Sequence, residues 1–376
     1  MKKYFLLSAI GLACAAAQAQ SSVTMYGVVD VNLQRFDAGG VGKSTMVGNG
    51  GLSTSRIGLR GVEDLGGGLN AGFWLEGSIN PDTGEGRASN SFNQPITGIA
   101  QPAGREAFKF DRVSYASLAG GWGEVRLGHD FIPTHWSSIF FDPFNANGVA
   151  RAGNLTFAGV LAAALPTAIT GSNAVEYWLP NNIGGIYGMA MAGAGENVSG
   201  TPNSQDGNFG GARIGYATGP FDVAVAMTRT HNSPTAAIGN YTHANIGGTW
   251  NAGPVRLFAL YNVVKVDLTG GEVRKNTAEL GAIIPVGVGL IRMSYAVLDD
   301  RSDGALHNAN GSARSSNDAH QWGLGYVYNL SKRSALYGTY ASLSNSGQAN
   351  YTVSGNRAPL PGQASSGLEL GVRHTF

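Results

Sequence analysis

Polar and apolar residues alternate along most of this chain. In VTMYGVVDVNL, Val23, Met25, Val29, Val31 and Leu33 stand against Thr24, Asp30, Asn32 and Gln34. In SRIGLRGVED, Arg56, Arg60 and Asp64 share one face while Ile57 and Leu59 share the other. In LNAGFWLEG, Asn70, Trp74 and Glu76 oppose Leu69, Phe73 and Leu75. A period of two is the mark of strands whose two faces meet different surroundings.

The connections sort by length. Seven are short and rich in turn residues: 66–68, 119–121, 181–185, 218–220, 251–253, 285–287 and 329–333. Eight are long and polar, near 37–50, 80–104, 131–172, 194–207, 230–241, 267–276, 299–317 and 344–365. Short and long alternate strictly, so fifteen connections join sixteen strands. An up-and-down barrel gives this pattern when its turns lie on one side of a membrane and its loops on the other. Greek-key sandwiches do not sort their connections this way. Sixteen strands enclose a space too wide for side chains to fill, so the polar face points inward to water. The expected fold class is all-β, a transmembrane antiparallel up-and-down β-barrel of 16 strands. Aromatic residues near strand ends (Tyr26, Phe73, Tyr115, Trp122, Tyr216, Phe221, Trp250, Tyr295, Trp322 and Tyr328) are expected to form the interfacial girdles.

Composition narrows the picture. No apolar run reaches the ~20 residues of a spanning helix; the best, Ala158 to Ile169, is broken by Pro166. A closed barrel is the other way to satisfy every backbone polar group in lipid. The N-terminus, MKKYFLLSAIGLACAAAQAQ, reads as a secretory signal peptide over residues 1–19, leaving a barrel over 20–376. Its removal takes away Cys14, the single cysteine, so no disulfide is expected. It also removes Lys2 and Lys3, which leaves 23 basic residues against 24 acidic ones. That balance speaks against a nucleic-acid partner. Of the 25 basic residues 18 are Arg, the choice where a charge must stay on and be held rigidly.

Other chemistry is not indicated. DAGGVGKST (37–45) has the look of a phosphate-binding loop, but its flanks alternate like strands and no helix follows to supply an anion site. It is read as a Gly-rich loop between strands, with Lys43 playing no nucleotide role. The seven histidines are scattered, with no metal-ligand spacing, and no GxSxG motif appears. No cofactor is expected.

The chain resembles the general porins of Gram-negative β-proteobacteria over essentially its whole length past residue 19. The resemblance rests on SSVTMYGVVDV, SRIGLRGVEDLGGGLNAGFWLEG (55–77), WGEVRLGHD (122–130), NAVEYWLP (173–180) and the terminal LGVRHTF. It implies an outer-membrane channel for passive diffusion of ions and small hydrophilic solutes, built as a homotrimer among lipid and lipopolysaccharide. It also implies that the third long loop, 131–172, folds inward as a constriction carrying Asp142. Strands 1–4 and 16 would then form the shared wall, with the loop near 80–104 reaching over the neighbour. A chain ending on Phe376 is similar to barrels that present this aromatic to the assembly machinery.

Alternation turns Arg56 and Arg60 inward. It likewise sets Arg112 against Val113 and Tyr115, and Arg126 against Val125 and Leu127. Together with Glu76 these make the expected pore wall, with the arginines facing Asp142 across a transverse field. Two positions depart from the family pattern: Glu176 stands in NAVEY where NSVRY is frequent, and His129 follows LG where Arg is frequent. Both remove positive charge, so the expectation is weak charge selectivity of no fixed sign. The alternatives are a barrel enzyme of lipase or protease type, and a surface adhesin.

Overall fold

The computed structural model describes residues 22–87, 90, 93–94, 108–159 and 165–376. The expected signal peptide (1–19) and most of the 80–104 loop lie outside these residues. Seventeen strands follow in order. They are β1 (Ser22–Ala38), β2 (Gly42–Asn49), β3 (Arg56–Gly66), β4 (Leu69–Ser78), β5 (Val113–Gly120) and β6 (Gly123–Phe131). Then come β7 (Thr170–Trp178), β8 (Ile186–Gly193), β9 (Phe209–Thr218), β10 (Phe221–Thr230), β11 (Tyr241–Ala252) and β12 (Val255–Leu268). The last are β13 (Gly271–Val286), β14 (Gly289–Asp300), β15 (Ala319–Asn329), β16 (Ser334–Asn345) and β17 (Ser365–Thr375).

These segments make sixteen staves. The upper half of β1 pairs with β2 and its lower half with β3, so β2 and β3 are one stave interrupted at residues 50–55. Every further strand pairs antiparallel with the next, and β1 pairs with β17 to close the ring. Phe376 extends that seam: its N–H and carbonyl exchange hydrogen bonds with Gly27 at 3.1 and 3.2 Å. Closure leaves no edge, as hydrocarbon requires. Lipid-facing Val23, Met25, Leu33, Leu127, Ile214, Ile246, Leu280 and Leu370 are each more than half exposed, while inward Asp30, Asn32, Glu76, Asn262 and Gln321 are buried. The polar face therefore points in and the apolar face out.

Two of the expected long connections are shorter. Most of 37–50 is strand, so DAGGVGKST is a tight hairpin turn with Lys43 3.5 Å from Asp37, and no helix follows it. The 267–276 connection shrinks to two residues between β12 and β13, because charged pairs there continue the ladder outward. Polarity alone mistook strand ends above the membrane for loop.

The third long connection folds into the barrel. Pro133 pre-sets the first turn of helix α1 (Pro133–Phe141), and the chain turns extended at Asp142. The inner wall receives this loop on glycines. A Cβ at Gly247 would lie 2.6 Å from the Phe141 ring, one at Gly281 2.5 Å from Pro143, and one at Gly323 2.5 Å from Ala150. Phe141, Phe144, Val149, Ala150 and Leu155 are fully buried between loop and wall. Polar ties complete the seat: Asn245 donates to the Thr134 carbonyl at 2.9 Å and Asn154 to Gln321 Oε1 at 2.8 Å. The Val149 N–H reaches Glu369 at 3.4 Å. The loop thus crosses from β6 past β11, β13 and β15 to β17.

Candidate functional site: the channel constriction

What the loop leaves open is a cavity of about 830 Å³. One side is the interrupted stave. Residues Gly50, Leu52, Ser53 and Thr54 bend into the channel there, where Asp30 accepts the Leu52 and Ser53 N–H groups at 2.8 Å each. A buried carboxylate thereby holds a backbone kink that alternation alone does not foretell.

Glu76 organises the basic wall. It accepts a hydrogen bond from Arg112 Nε at 2.5 Å and from the Tyr26 hydroxyl at 2.6 Å. Arg56 Nε lies 3.1 Å away. Two guanidiniums share one carboxylate, and both line the cavity. Arg112 precedes β5, so it enters from the loop end rather than from a strand face.

Arg60 lies four residues nearer the turn end than Arg56, stacked 5.6 Å from the Tyr26 ring centre. Tyr26 and Tyr115 thus face inward and are not girdle residues. Arg126 is held away from the cavity. Glu124 at 2.9 Å and Asp130 at 3.0 Å neutralise it, and the Tyr115 and Trp178 rings flank it at 4.6 and 4.3 Å.

The three remaining positions do not carry the charge expected of them in the neck. Asp142 is buried and turned to its own loop, accepting the N–H groups of Phe144 (2.7 Å), Ala152 (2.9 Å) and Ala146 (3.1 Å). Burial pushes its carboxyl up to about 6, against the pull of those three donors. Glu176 is 1% exposed beside Arg126, bonded to Trp178 Nε1 at 3.0 Å, and does not line the cavity. His129 is buried between Ser172 (2.8 Å) and the Asp111 carbonyl (3.0 Å). The two family departures are therefore charge changes inside the wall.

Four further arginines do reach the cavity: Arg87, Arg151, Arg292 and Arg373. Arg151 sits on the constriction loop itself, so the loop shows the channel a cation. Arg292 and Arg373 lie on β14 and β17, and alternation with Met293 and Val372 already turns them inward. Among the described residues, six arginines line the cavity against two carboxylates, Asp82 and Asp111.

The Gram-negative porin family profile matches residues 6–348. The chain belongs to that family. This porin is 34% identical to outer membrane porin protein 32 of Delftia acidovorans, with all of both chains aligned. It is 26% identical to an outer membrane porin of Bordetella pertussis, again over both whole chains. Among solved structures, the anion-selective porin from Comamonas acidovorans aligns with a TM-score of 0.78 and 33% identity, covering 95% of this porin and 100% of that one. OmpT of Vibrio cholerae in its trimer form shares the fold at a TM-score of 0.64 and 14% identity, covering 95% and 99%. The porin is an outer-membrane channel for passive diffusion, and its relatives are channels rather than enzymes.

Proposed function

We propose that this porin is an anion-preferring diffusion channel with no catalytic activity of its own, exported through a cleaved leader and working as a homotrimer. The observation that carries the selectivity is the cavity lining, where among the described residues six guanidiniums face two carboxylates. Arg stays charged at every working pH, and a narrow, poorly screened neck makes each charge felt individually. The Comamonas relative, named for its anion selectivity, supports the same sign. Glu176 does not offset it, since that carboxylate lies outside the lining.

The test is the zero-current potential across a planar bilayer under a low-salt potassium chloride gradient. The parent channel should favour chloride. Arg112→Gln and Arg151→Gln should each shift the potential toward cations, while Glu176→Gln should leave it in place. A parent channel that favours potassium sinks the proposal.

A further inference from the structure

A run of aromatic rings follows the inner wall on the turn side of the neck. Arg60 of β3 stacks over Tyr26 at 5.6 Å, and Tyr26 meets Trp74 of β4 edge-on with ring centres 6.5 Å apart. Trp74 meets Tyr115 of β5 at 6.3 Å. Arg126 of β6 then sits between Tyr115 and Trp178 of β7, 4.6 and 4.3 Å from their ring centres. Trp178 touches Trp136 of α1 at 5.7 Å, and Trp136 stacks on Phe140 at 5.7 Å with 15° between the planes. Arg213 of β9 ends the run, 5.5 Å from the Phe140 ring and 4.8 Å from that of Tyr187 on β8. Each of the consecutive strands β3–β9 thus contributes one side chain, and six strand-to-strand steps make an arc of about 29 Å.

None of these side chains lines the 830 Å³ cavity of the neck. They lie toward the short turns, which in an outer-membrane barrel face the periplasm. Because they point inward, what they expose they expose to the channel. Phe140 is 45% exposed inside the barrel, and Tyr26, Trp74, Trp136, Trp178 and Tyr187 are half-buried. The opposite wall differs: inward positions of β11–β16 carry Asn245, Asn262, Thr277, Ser294, Gln321 and Thr339. A wall that meets only water and small ions has no need of aromatic faces. Charge along the arc is also uneven. Arg126 is neutralised by Glu124 and Asp130, and Arg213 donates to the Tyr187 hydroxyl at 3.2 Å. Arg60 is exposed and joins no ion pair among the described residues.

Aromatic faces attract flat rings, offset or edge-on, and a guanidinium attracts a carboxylate. We propose that this arc is a binding track for aromatic carboxylates, whose rings stack along Phe140 and Trp74 and whose carboxylate is held at Arg60. The inference rests on the anion-preferring reading of the neck, which admits the carboxylate before the arc meets its ring. An inorganic anion would leave the rings unused, and a neutral sugar would leave Arg60 without a counter-charge. The arc is several times longer than one such solute, so a solute passes from ring to ring along the wall.

The test adds benzoate, cyclohexanecarboxylate, acetate or D-glucose to the parent channel in a planar bilayer and reads the concentration that halves potassium chloride conductance. Benzoate should act at about fivefold lower concentration than cyclohexanecarboxylate, the difference one aromatic pair makes. Phe140→Leu keeps apolar bulk but removes a ring, and should raise the benzoate value about fivefold while leaving that of acetate in place. Trp74→Leu should do the same; should loss of its bond to the Tyr26 hydroxyl unfold it, Phe140→Leu at the exposed position still decides. Arg60→Gln should raise the benzoate and acetate values together. Equal action of benzoate and cyclohexanecarboxylate overturns the proposal, and so does a Phe140→Leu channel that responds to benzoate as the parent does. D-glucose acting at the concentration of benzoate overturns it as well. Chloride preference without benzoate discrimination sinks the track alone, whereas potassium preference in the parent sinks the reading of the neck and the track with it.

Discussion

Glu76 is the residue on which the basic wall turns. It is 3% exposed, and two hydrogen-bond donors and the Arg56 guanidinium converge on it from three separate strands or strand ends. Removing one partner of a buried charged cluster costs more than the cluster contributes net, because the remaining charges are left desolvated. Glu76→Gln should therefore destabilise the barrel by about 3 kcal/mol, measured as a lower urea midpoint in detergent. The same change frees Arg56 and Arg112, so the zero-current potential should move further toward anions. Unchanged stability together with an unchanged potential would show that Tyr26, Arg56 and Arg112 do not depend on this carboxylate. The inward direction of Arg56, Arg60 and Glu76 was legible in the alternation of their strands. The role of Asp142 was not, since its partners are backbone N–H groups of a loop with no period to read. Arg151 was hidden for the same reason. Arg292 and Arg373 obey the same alternation and could have been read from it; Arg373 lies within the terminal LGVRHTF, whereas the strand of Arg292 carries no motif that draws attention to it.

At the scale of elements, the constriction is a loop seated on glycines. Gly247, Gly281 and Gly323 occupy inward positions of three different strands, where side chains would strike Phe141, Pro143 and Ala150. Strand interiors ordinarily disfavour Gly, so a Gly facing inward marks close approach by another backbone or ring. With Gly 57 residues of the chain, composition alone could not separate these three from turn glycines; their place in the alternation does. Gly323→Val adds a branched side chain where even a Cβ is too close, at 2.5 Å from Ala150 and 3.3 Å from Phe144. It should lift the loop from the wall, because a packed seat cannot absorb added methyl groups without displacement. The expected outcome is altered single-channel conductance with more open-channel noise. Gly210→Val is the control, since the nearest atom to its Cβ is 3.8 Å away. Identical traces from the two variants would show that the seat on β15 does not position the loop.

At the scale of the whole molecule, the outer surface of the barrel is not uniform. The seam side, where β1 pairs with β17 and β2, shows outward Val31, Leu33, Val47, Leu370 and Val372 around a shallow hollow of about 410 Å³, with Gly371 in its lining. A hollow lined by aliphatic side chains can be filled by a side chain from a second copy, and three copies meeting along such walls close about one axis. The seam also joins the first and last strands, so subunit packing there would brace the one place where the ring is held by residues far apart in sequence. Unheated parent protein in gentle detergent should run at trimer mass and drop to monomer mass on boiling. Leu33→Arg/Leu370→Arg places two charges in the hollow with no acid among its lining residues to receive them. Burying unpaired charge costs more than aliphatic packing in the hollow can return, so this variant should run as monomer without boiling while keeping its β-sheet spectrum. A parent that is monomeric before heating would remove the trimer. A double variant that stays trimeric would instead move the subunit interface away from the seam.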